Sequence, residues 1–136
     1  MNEIFEKMYE KAYEGYKNAY TPYSHFNVGA SVLLKNGEII FGSNVENSSF
    51  GLCNCAERTT LFTTYAKGYR KEDIVKFMVI GNTKDPVSPC GACRQVMSEL
   101  MDSNTEVILT NLKKDIKIMK VCELLPYSFS GDNLNE

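Results

Sequence analysis

The chain has 136 residues, of which 43% are hydrophobic and 24% are charged, and its formal net charge is −2. These numbers suit one domain with a buried core, and no apolar run reaches the roughly 20 residues that span a bilayer. Since no cluster of Lys and Arg offers a basic face for phosphates, we expect a single domain over residues 1–136 that binds a small molecule, not a membrane or nucleic acid.

The first predicted element is an amphipathic helix over residues 3–19. Ile4, Met8 and Ala12 recur every four residues there, and aromatic residues lie beside them. The same stretch lacks the uninterrupted apolar segment of a signal peptide, so we expect a cytoplasmic protein. The "TPYS" that follows ends the helix, because proline disfavours helical backbone in the residue before it.

A β-hairpin is predicted next, in "VGASVLLKNGEIIFGSNV". Asn36-Gly37 between two β-rich runs is a strong hairpin signal, because both positions of such a turn need positive φ. A second helix is predicted over residues 55–67 and ends near Gly68, since glycine commonly follows the last turn of a helix.

The second half of the chain predicts a β-α-β unit followed by one more strand. Strands are expected at 74–80, 105–110 and 116–121, and a helix with one buried face at 91–101. The strands on either side of that helix should be parallel, while the last two, only about five residues apart, should be antiparallel. The sequence therefore predicts an α/β fold with a mixed five-stranded sheet covered by helices.

The five cysteines indicate metal binding or catalysis, because disulfides are rare in a reducing compartment. Cys90 and Cys93 have the C-x-x-C spacing that zinc sites and redox pairs share, so this pair alone leaves both possibilities open. Cys53 and Cys55 are one residue apart, which is not the spacing of a zinc knuckle. Cys122 lies near the last strand, where we expect a small buried apolar residue.

Three of these thiolates can converge on one metal. If Cys55 begins a helix, Cys53 lies outside that helix, and only Cys55, Cys90 and Cys93 remain as ligands. Three protein ligands with water in an open fourth position are the catalytic arrangement of zinc. The alternative is a closed structural site in which Cys53 is the fourth ligand.

Two charged residues follow Cys55 directly. Three thiolates on Zn²⁺ leave a formal charge of −1, which helix N-termini and a hydrogen bond from Arg58 can offset; otherwise Arg58 is an ordinary solvated arginine. Glu57 can take a proton from a water at the metal and deliver it to a substrate nitrogen. Taken alone, Glu57 would simply be an acid that favours a helix start.

With these residues the sequence resembles a known family. "CAE" followed downstream by "PCGAC" is a zinc-deaminase signature. The fragments "PYSHFNVGA", "NVEN", "NCAERT", "SPCGACRQ" and "ELLPYSF", in that order from about Tyr20 to Phe129, resemble the small cytidine deaminases of nucleoside salvage. The resemblance implies a three-layer α/β/α fold, with one Zn²⁺ per chain on Cys55, Cys90 and Cys93. It also implies hydrolytic deamination of cytidine and 2′-deoxycytidine to uridine and 2′-deoxyuridine with release of ammonia.

The resemblance also assigns roles to the remaining candidate residues. Glu57 would carry protons to N3 and to the leaving amine of the cytosine ring. Asn44 and Glu46 would hold the ribose hydroxyls, the Ala56 backbone would contact the base, and Phe26 would stack on the pyrimidine. From the residues alone, Asn44 and Glu46 could instead form a strand-end turn, and Phe26 could belong to the core.

Family members of this length are homotetramers in which neighbouring chains close each pocket. "LLPYSF" resembles the segment that reaches across, which implies that Phe129 covers the base in a neighbour's site. Many relatives have Tyr where this chain has Phe50, so a hydroxyl near the 5′ side of the sugar is lost. The tail at 130–136 is predicted to be disordered.

Other functions stay open at this point. A related deaminase of a nucleoside analogue such as blasticidin would share the zinc motif, although "NVEN" favours ordinary nucleosides. A nucleic-acid-editing deaminase is disfavoured by the acidic isoelectric point of about 5.5 and by the short chain without basic loops. The alternative of a different class is a structural-zinc or redox module without catalysis.

Overall fold

The computed structural model of the protein describes residues 2–131 and Leu134. Most of the tail predicted to be disordered lies outside these residues. Within them, every helix is too short or too polar to cross a membrane.

The strands are β1 (Val28–Leu34), β2 (Ile39–Ser43), β3 (Ile74–Gly81), β4 (Glu106–Asn111) and β5 (Ile116–Lys120).

The five strands form one mixed sheet in the order β2-β1-β3-β4-β5. β3 and β4 are parallel, and the other three neighbouring pairs are antiparallel. The predicted parallel pair and antiparallel last pair are therefore confirmed. Because β3 and β4 run in the same direction, the segments that leave their carboxyl ends meet at one edge of the sheet.

Three helices begin and end within one residue of their predicted positions, and a fourth, a single turn, was not predicted. They are α1 (Glu3–Asn18), α2 (Ala56–Ala66), α3 (Gly91–Leu100) and the single turn α4 (Val121–Leu124). α1 begins after Asn2, whose Oδ1 accepts a hydrogen bond of 2.8 Å from the backbone N–H of Phe5. α2 begins directly after Cys55 and α3 directly after Cys90, so the two helices start at the cysteine clusters.

Helices cover both faces of the sheet, which confirms the three-layer α/β/α fold. Residues of β3 alternate between the two faces, as side chains of a strand must. On one face α1 closes a cluster of Phe5, Met8, Ala12, Leu33, Met78, Ile80 and Ile108. On the other face α2 and α3 contribute Leu61 and Met97 to a larger cluster with Phe77, Val79 and Val107.

α1 lies unusually close to β1, because Gly29 has no side chain. A Cβ built on Gly29 would be 1.9 Å from the carbonyl oxygen of Ala12 and 2.4 Å from the backbone nitrogen of Tyr16. Both atoms belong to the backbone of α1, so no side-chain rotation could relieve the clash. This contact fixes the beginning of β1 against the helix.

The β1–β2 hairpin has its predicted position but a different turn. Within this turn Gly37 has positive φ, at 90°, and Asn36 does not. The backbone N–H of Gly37 donates to the carbonyl of Leu34 at 2.9 Å, which indicates a type I turn followed by a left-handed glycine. Asn36 uses its side chain instead: its Oδ1 accepts from the N–H of Glu38 at 2.9 Å. The prediction that both residues need positive φ was therefore wrong.

The prediction that Cys122 is buried was also wrong, since its side chain is exposed. Cys122 lies in α4, a helix of four residues. Val121 and Leu124, three positions apart on the same side of that turn, are each only 2% exposed. Because α4 presents one side to the core, Cys122 faces solvent.

Candidate metal centre and active site

Three thiols gather where α2 and α3 begin. The Sγ atoms of Cys55 and Cys90 are 3.8 Å apart, those of Cys90 and Cys93 are 3.4 Å apart, and all three lie within 4.8 Å of one another. Cys55 and Cys90 are the N-cap residues of the two helices, and the Cys90 thiol accepts from the N–H of Cys93 at 3.5 Å. The loop that returns from β3 thus brings Cys90 and Cys93 to Cys55.

The cluster fits a zinc ion. Tetrahedral Zn²⁺ with Zn–S bonds of about 2.3 Å places two sulfurs roughly 3.8 Å apart, which is close to the separations of 3.8 Å and 3.4 Å in this cluster. Cys53 is not part of the cluster: its Sγ accepts from the N–H of Asn47 at 3.2 Å. The chain therefore offers three thiolates to the metal, which is the ligand number of a catalytic zinc.

Arg58 contacts the cluster from one turn further along α2. Its Nη2 donates to the Sγ of Cys55 at 3.2 Å, and its buried Nε has no hydrogen-bond partner within the described part of the chain. Hydrogen bonds from Cys93 and from Arg58 stabilise the Cys55 thiolate and lower the pKa of this thiol to about 5. A cation therefore lies against the thiolates, as the sequence predicted.

Glu57 is buried beside the thiols, with only 4% of its surface exposed. Burial, with a smaller effect from the Cys55 thiolate, raises the pKa of this carboxyl to about 7. A carboxyl group that titrates near neutrality can both accept and donate a proton at working pH. The position thus suits a general acid–base better than a helix-start acid, which would lie at the surface.

A cleft of about 230 Å³ opens onto the cluster. It joins residues from four separate segments of the chain, and most of the predicted site residues share it. Its lining is formed by Ser24, Phe26, Val28, Asn44, Glu46, Cys55, Glu57, Val87, Ser88 and Cys90.

Of the predicted site residues, Phe26 lines this cleft, whereas Ala56, Arg58, Cys93 and Phe129 do not. Ala56 and Cys93 are completely buried in the first turns of α2 and α3. Phe129 is 58% exposed and does not line the cleft of its own chain. Phe26 is 41% exposed just before β1, so it is not a core residue.

Asn44 holds the backbone at the end of β2. Its Oδ1 accepts from the N–H of Val28, and its Nδ2 donates to the carbonyl of Phe26, both at 2.9 Å. The strand-end role considered for this residue is therefore real. One N–H of the amide is left over, because Nδ2 carries two hydrogens.

Glu46 holds the loop that precedes Phe26. Its Oε1 accepts from the N–H groups of Tyr23 and Ser24, both at 3.1 Å, and its Oε2 accepts from the hydroxyl of Ser24. These hydrogen bonds lower the pKa of Glu46, chiefly through the Ser24 hydroxyl. A carboxylate has about four acceptor positions, so one remains on Oε2 for a ligand.

Sequence reasoning missed four residues that line the cleft: Ser24, Val28, Val87 and Ser88. Ser24 and Val28 lie within the fragment "PYSHFNVGA", but their roles depend on long-range contacts with Asn44 and Glu46. Ser88 lies two residues before Cys90, and its hydroxyl accepts from the guanidinium of Arg94 at 2.6 Å.

Comparison with known proteins gives concordant matches. A family model described as "Cytidine and deoxycytidylate deaminase zinc-binding region" matches residues 2–109, which include every predicted site residue except Phe129. A cytidine deaminase of Halalkalibacterium halodurans is 49% identical over 131 residues, covering 96% of this chain and 98% of that protein. One from Sporosarcina psychrophila is 44% identical over 130 residues, covering 96% and 94%. The crystal structure of a cytidine deaminase from Burkholderia pseudomallei matches with a TM-score of 0.89 and 46% identity, over 95% of this chain and 100% of that one.

Proposed function

Because the chain belongs to the cytidine and deoxycytidylate deaminase family, we propose that it hydrolyses cytidine and 2′-deoxycytidine to uridine and 2′-deoxyuridine with release of ammonia. One observation carries the proposal. A single cleft joins the thiol cluster, the buried Glu57 and two polar residues, Asn44 and Glu46, that each keep one hydrogen-bonding position free of the described residues. A structural-zinc or redox module would have no need of this arrangement.

Cys55, Cys90 and Cys93 would hold one Zn²⁺, which when bound acts as a Lewis acid and makes water nucleophilic near neutral pH. The groups around the thiols offset the electrostatic repulsion among three negatively charged sulfurs. Arg58 donates to Cys55, and both helix N-termini present partial positive charge to the cluster.

Glu57 moves the protons of the reaction. Addition of water to C4 of cytosine requires a base for the O–H proton and an acid for N3. Departure of the amine then requires a second proton on the exocyclic nitrogen. One carboxyl whose pKa lies near 7 can serve each step in turn, and its burial keeps bulk water from exchanging the proton.

The nucleoside would lie along the wall formed by Phe26, Asn44 and Glu46. Phe26 offers a ring on which the pyrimidine stacks, and the Ala56 N–H in the first turn of α2 has no intrahelical partner. The free N–H of Asn44 and the free acceptor position of Glu46 can together satisfy one sugar hydroxyl, which both donates and accepts.

The proposed assembly is a homotetramer in which Phe129 covers the base in a neighbouring chain. Phe129 is largely exposed and lies outside the cleft of its own chain. Exposed apolar side chains of Phe50, Leu52 and Phe62, at 73%, 70% and 46%, offer surface for contacts between copies. The proposed partners are thus a nucleoside and further copies of the chain, without nucleic acid or membrane.

The proposed setting is pyrimidine salvage in the cytoplasm. The five free thiols suit a reducing compartment, because disulfides persist mainly in oxidising ones.

The decisive experiment measures ammonia release by the zinc-loaded protein from cytidine, 2′-deoxycytidine, free cytosine and blasticidin. We expect turnover of both nucleosides, little turnover of cytosine, and loss of activity after zinc removal. Turnover of blasticidin alone would instead identify a nucleoside-analogue deaminase. A zinc-loaded protein that releases no ammonia from any of the four would contradict the proposed function.

A further inference from the structure

Ser24 contacts both halves of the proposed nucleoside site. Its hydroxyl donates to Oε2 of Glu46 and accepts from the backbone N–H of Phe26 at 3.0 Å. Its own backbone N–H donates to Oε1 of Glu46 at 3.1 Å. One small side chain on the wall of the cleft therefore joins the candidate sugar-binding carboxylate to the residue that carries the candidate stacking ring.

The loop around Ser24 is folded so that this bridge can form. The N–H of His25 donates to the carbonyl of Thr21 at 3.0 Å, and His25 has a φ of 57°. A left-handed conformation is uncommon for a residue other than glycine, so the surrounding contacts must hold it. The turn brings the N–H of Phe26 back to the hydroxyl of Ser24, two residues earlier.

The bridge can be removed without removing the fold. Ser24 is exposed, so the loss of its hydroxyl leaves no buried cavity. Glu46 would keep the two backbone N–H donors on Oε1, while Oε2 and the N–H of Phe26 would lose their partner. The carboxylate would then be held only through Oε1, and its direct connection to the Phe26 backbone through the Ser24 side chain would be lost.

We infer that Ser24 is a positioning residue that makes Phe26 and Glu46 one recognition unit, so that sugar binding also fixes the surface on which the base stacks. The inference rests on the proposed function, since it needs Glu46 to bind the sugar. The hydroxyl of Ser24 acts on the carboxylate and on the Phe26 backbone, not on the reacting atoms. Its loss should therefore weaken nucleoside binding and leave the proton transfers of Glu57 intact.

The test compares KM and kcat for cytidine in Ser24→Ala, Glu46→Gln and the double variant. Because this hydrogen bond is already present before the nucleoside binds, only part of its free energy acts on affinity, and we expect Ser24→Ala to raise KM by about three- to tenfold, with kcat within about twofold. In the Glu46→Gln background the same change should raise KM by less than about twofold, because the bond to a carboxylate is already gone. Ser24→Thr keeps a hydroxyl and should recover most of the lost affinity.

Ser43→Ala is the matched control. Its hydroxyl donates to the carbonyl of Gly15 at 2.6 Å, away from the cleft, so its removal should leave KM unchanged. Two outcomes would overturn the inference about Ser24 and leave the proposed function standing. In the first, Glu46→Gln raises KM while Ser24→Ala does not. In the second, the increase in KM of the double variant equals the product of the increases in the two single variants. If Glu46→Gln leaves KM unchanged, the proposed sugar site fails, and this inference fails with it.

Discussion

Arg58 reaches back along α2 and donates from Nη2 to the Sγ of Cys55 at 3.2 Å. The guanidinium thereby places a positive charge against one of three thiolates that would otherwise leave Zn²⁺ with a net negative charge. A zinc ion surrounded by excess negative charge is a weaker Lewis acid, so this contact connects the helix sequence directly to the reactivity of the metal.

Replacement of Arg58 by Ala should therefore lower kcat more than it lowers zinc content. One charge-assisted hydrogen bond contributes about 1.5–3 kcal/mol, which corresponds to a loss of roughly ten- to a hundredfold in kcat. Steady-state kinetics and metal analysis on the same preparation would measure both quantities. Arg70→Ala is the control, since Arg70 is exposed and donates to the carbonyls of Tyr65 and Tyr69. An Arg58→Ala variant with normal kcat would show that the charge of the guanidinium does not matter.

Glu57→Gln should retain zinc and the proposed assembly but lose turnover of cytidine. The amide has nearly the same shape as the carboxyl, yet it cannot relay a proton, and such a loss commonly costs 10²–10⁴-fold in rate. Ammonia release and zinc content per chain are the measurements. Glu99→Gln, an exposed position on α3, should remain fully active. Substantial activity in Glu57→Gln would contradict the proposed mechanism.

Cys53→Ala should keep the zinc content near one ion per chain. The Cys53 thiol accepts from the backbone N–H of Asn47 and is not part of the thiol cluster, so its loss removes no ligand. Cys93→Ala should lose most of the metal, because it leaves only Cys55 and Cys90. Loss of zinc in Cys53→Ala would instead indicate a closed site with four cysteines.

The positions of Cys55 and Cys90 at the starts of two helices could be predicted from the sequence, because the residues that determine a helix start are local. Cys55 and Cys90 each precede a helix-forming run, so both are N-cap residues, and the Cys90 sulfur accepts a hydrogen bond from the N–H of Cys93. The β-α-β spacing similarly required β3 and β4 to be parallel. Each feature follows from the pattern of one continuous segment of the chain.

Features that depend on distant contacts could not be predicted in the same way. Ser24 and Glu46 are 22 positions apart, and only the folded loop shows that they are bonded. The position of β1 between β2 and β3 is likewise a property of the whole sheet. Cys122 was misplaced because a four-residue helix is too short for periodicity to show which side is buried.

Gly29→Ala should destabilise the protein by about 1–3 kcal/mol or more, because overpacking at a rigid contact forces a backbone shift. The added Cβ would be 1.9 Å from the carbonyl oxygen of Ala12, so α1 would have to move away from the sheet. Thermal or denaturant unfolding measures the loss. Gly51→Ala is the matched control, since a Cβ at Gly51 would meet no atom within 4 Å. Equal stability of the two variants would refute the close helix–sheet contact.

Phe129→Ala tests whether neighbouring chains complete each other's sites. If Phe129 covers the base in an adjacent chain, this variant should have a raised KM although its own Glu57 is intact. Glu57→Gln has the opposite defect, because it keeps Phe129 but cannot transfer protons. When the two variants are combined in one assembly by co-refolding, some sites receive an intact Glu57 from one chain and an intact Phe129 from the other. Activity at low cytidine concentration should therefore exceed the mean of the separate variants, whereas activity equal to that mean would show that Phe129 does not act between chains.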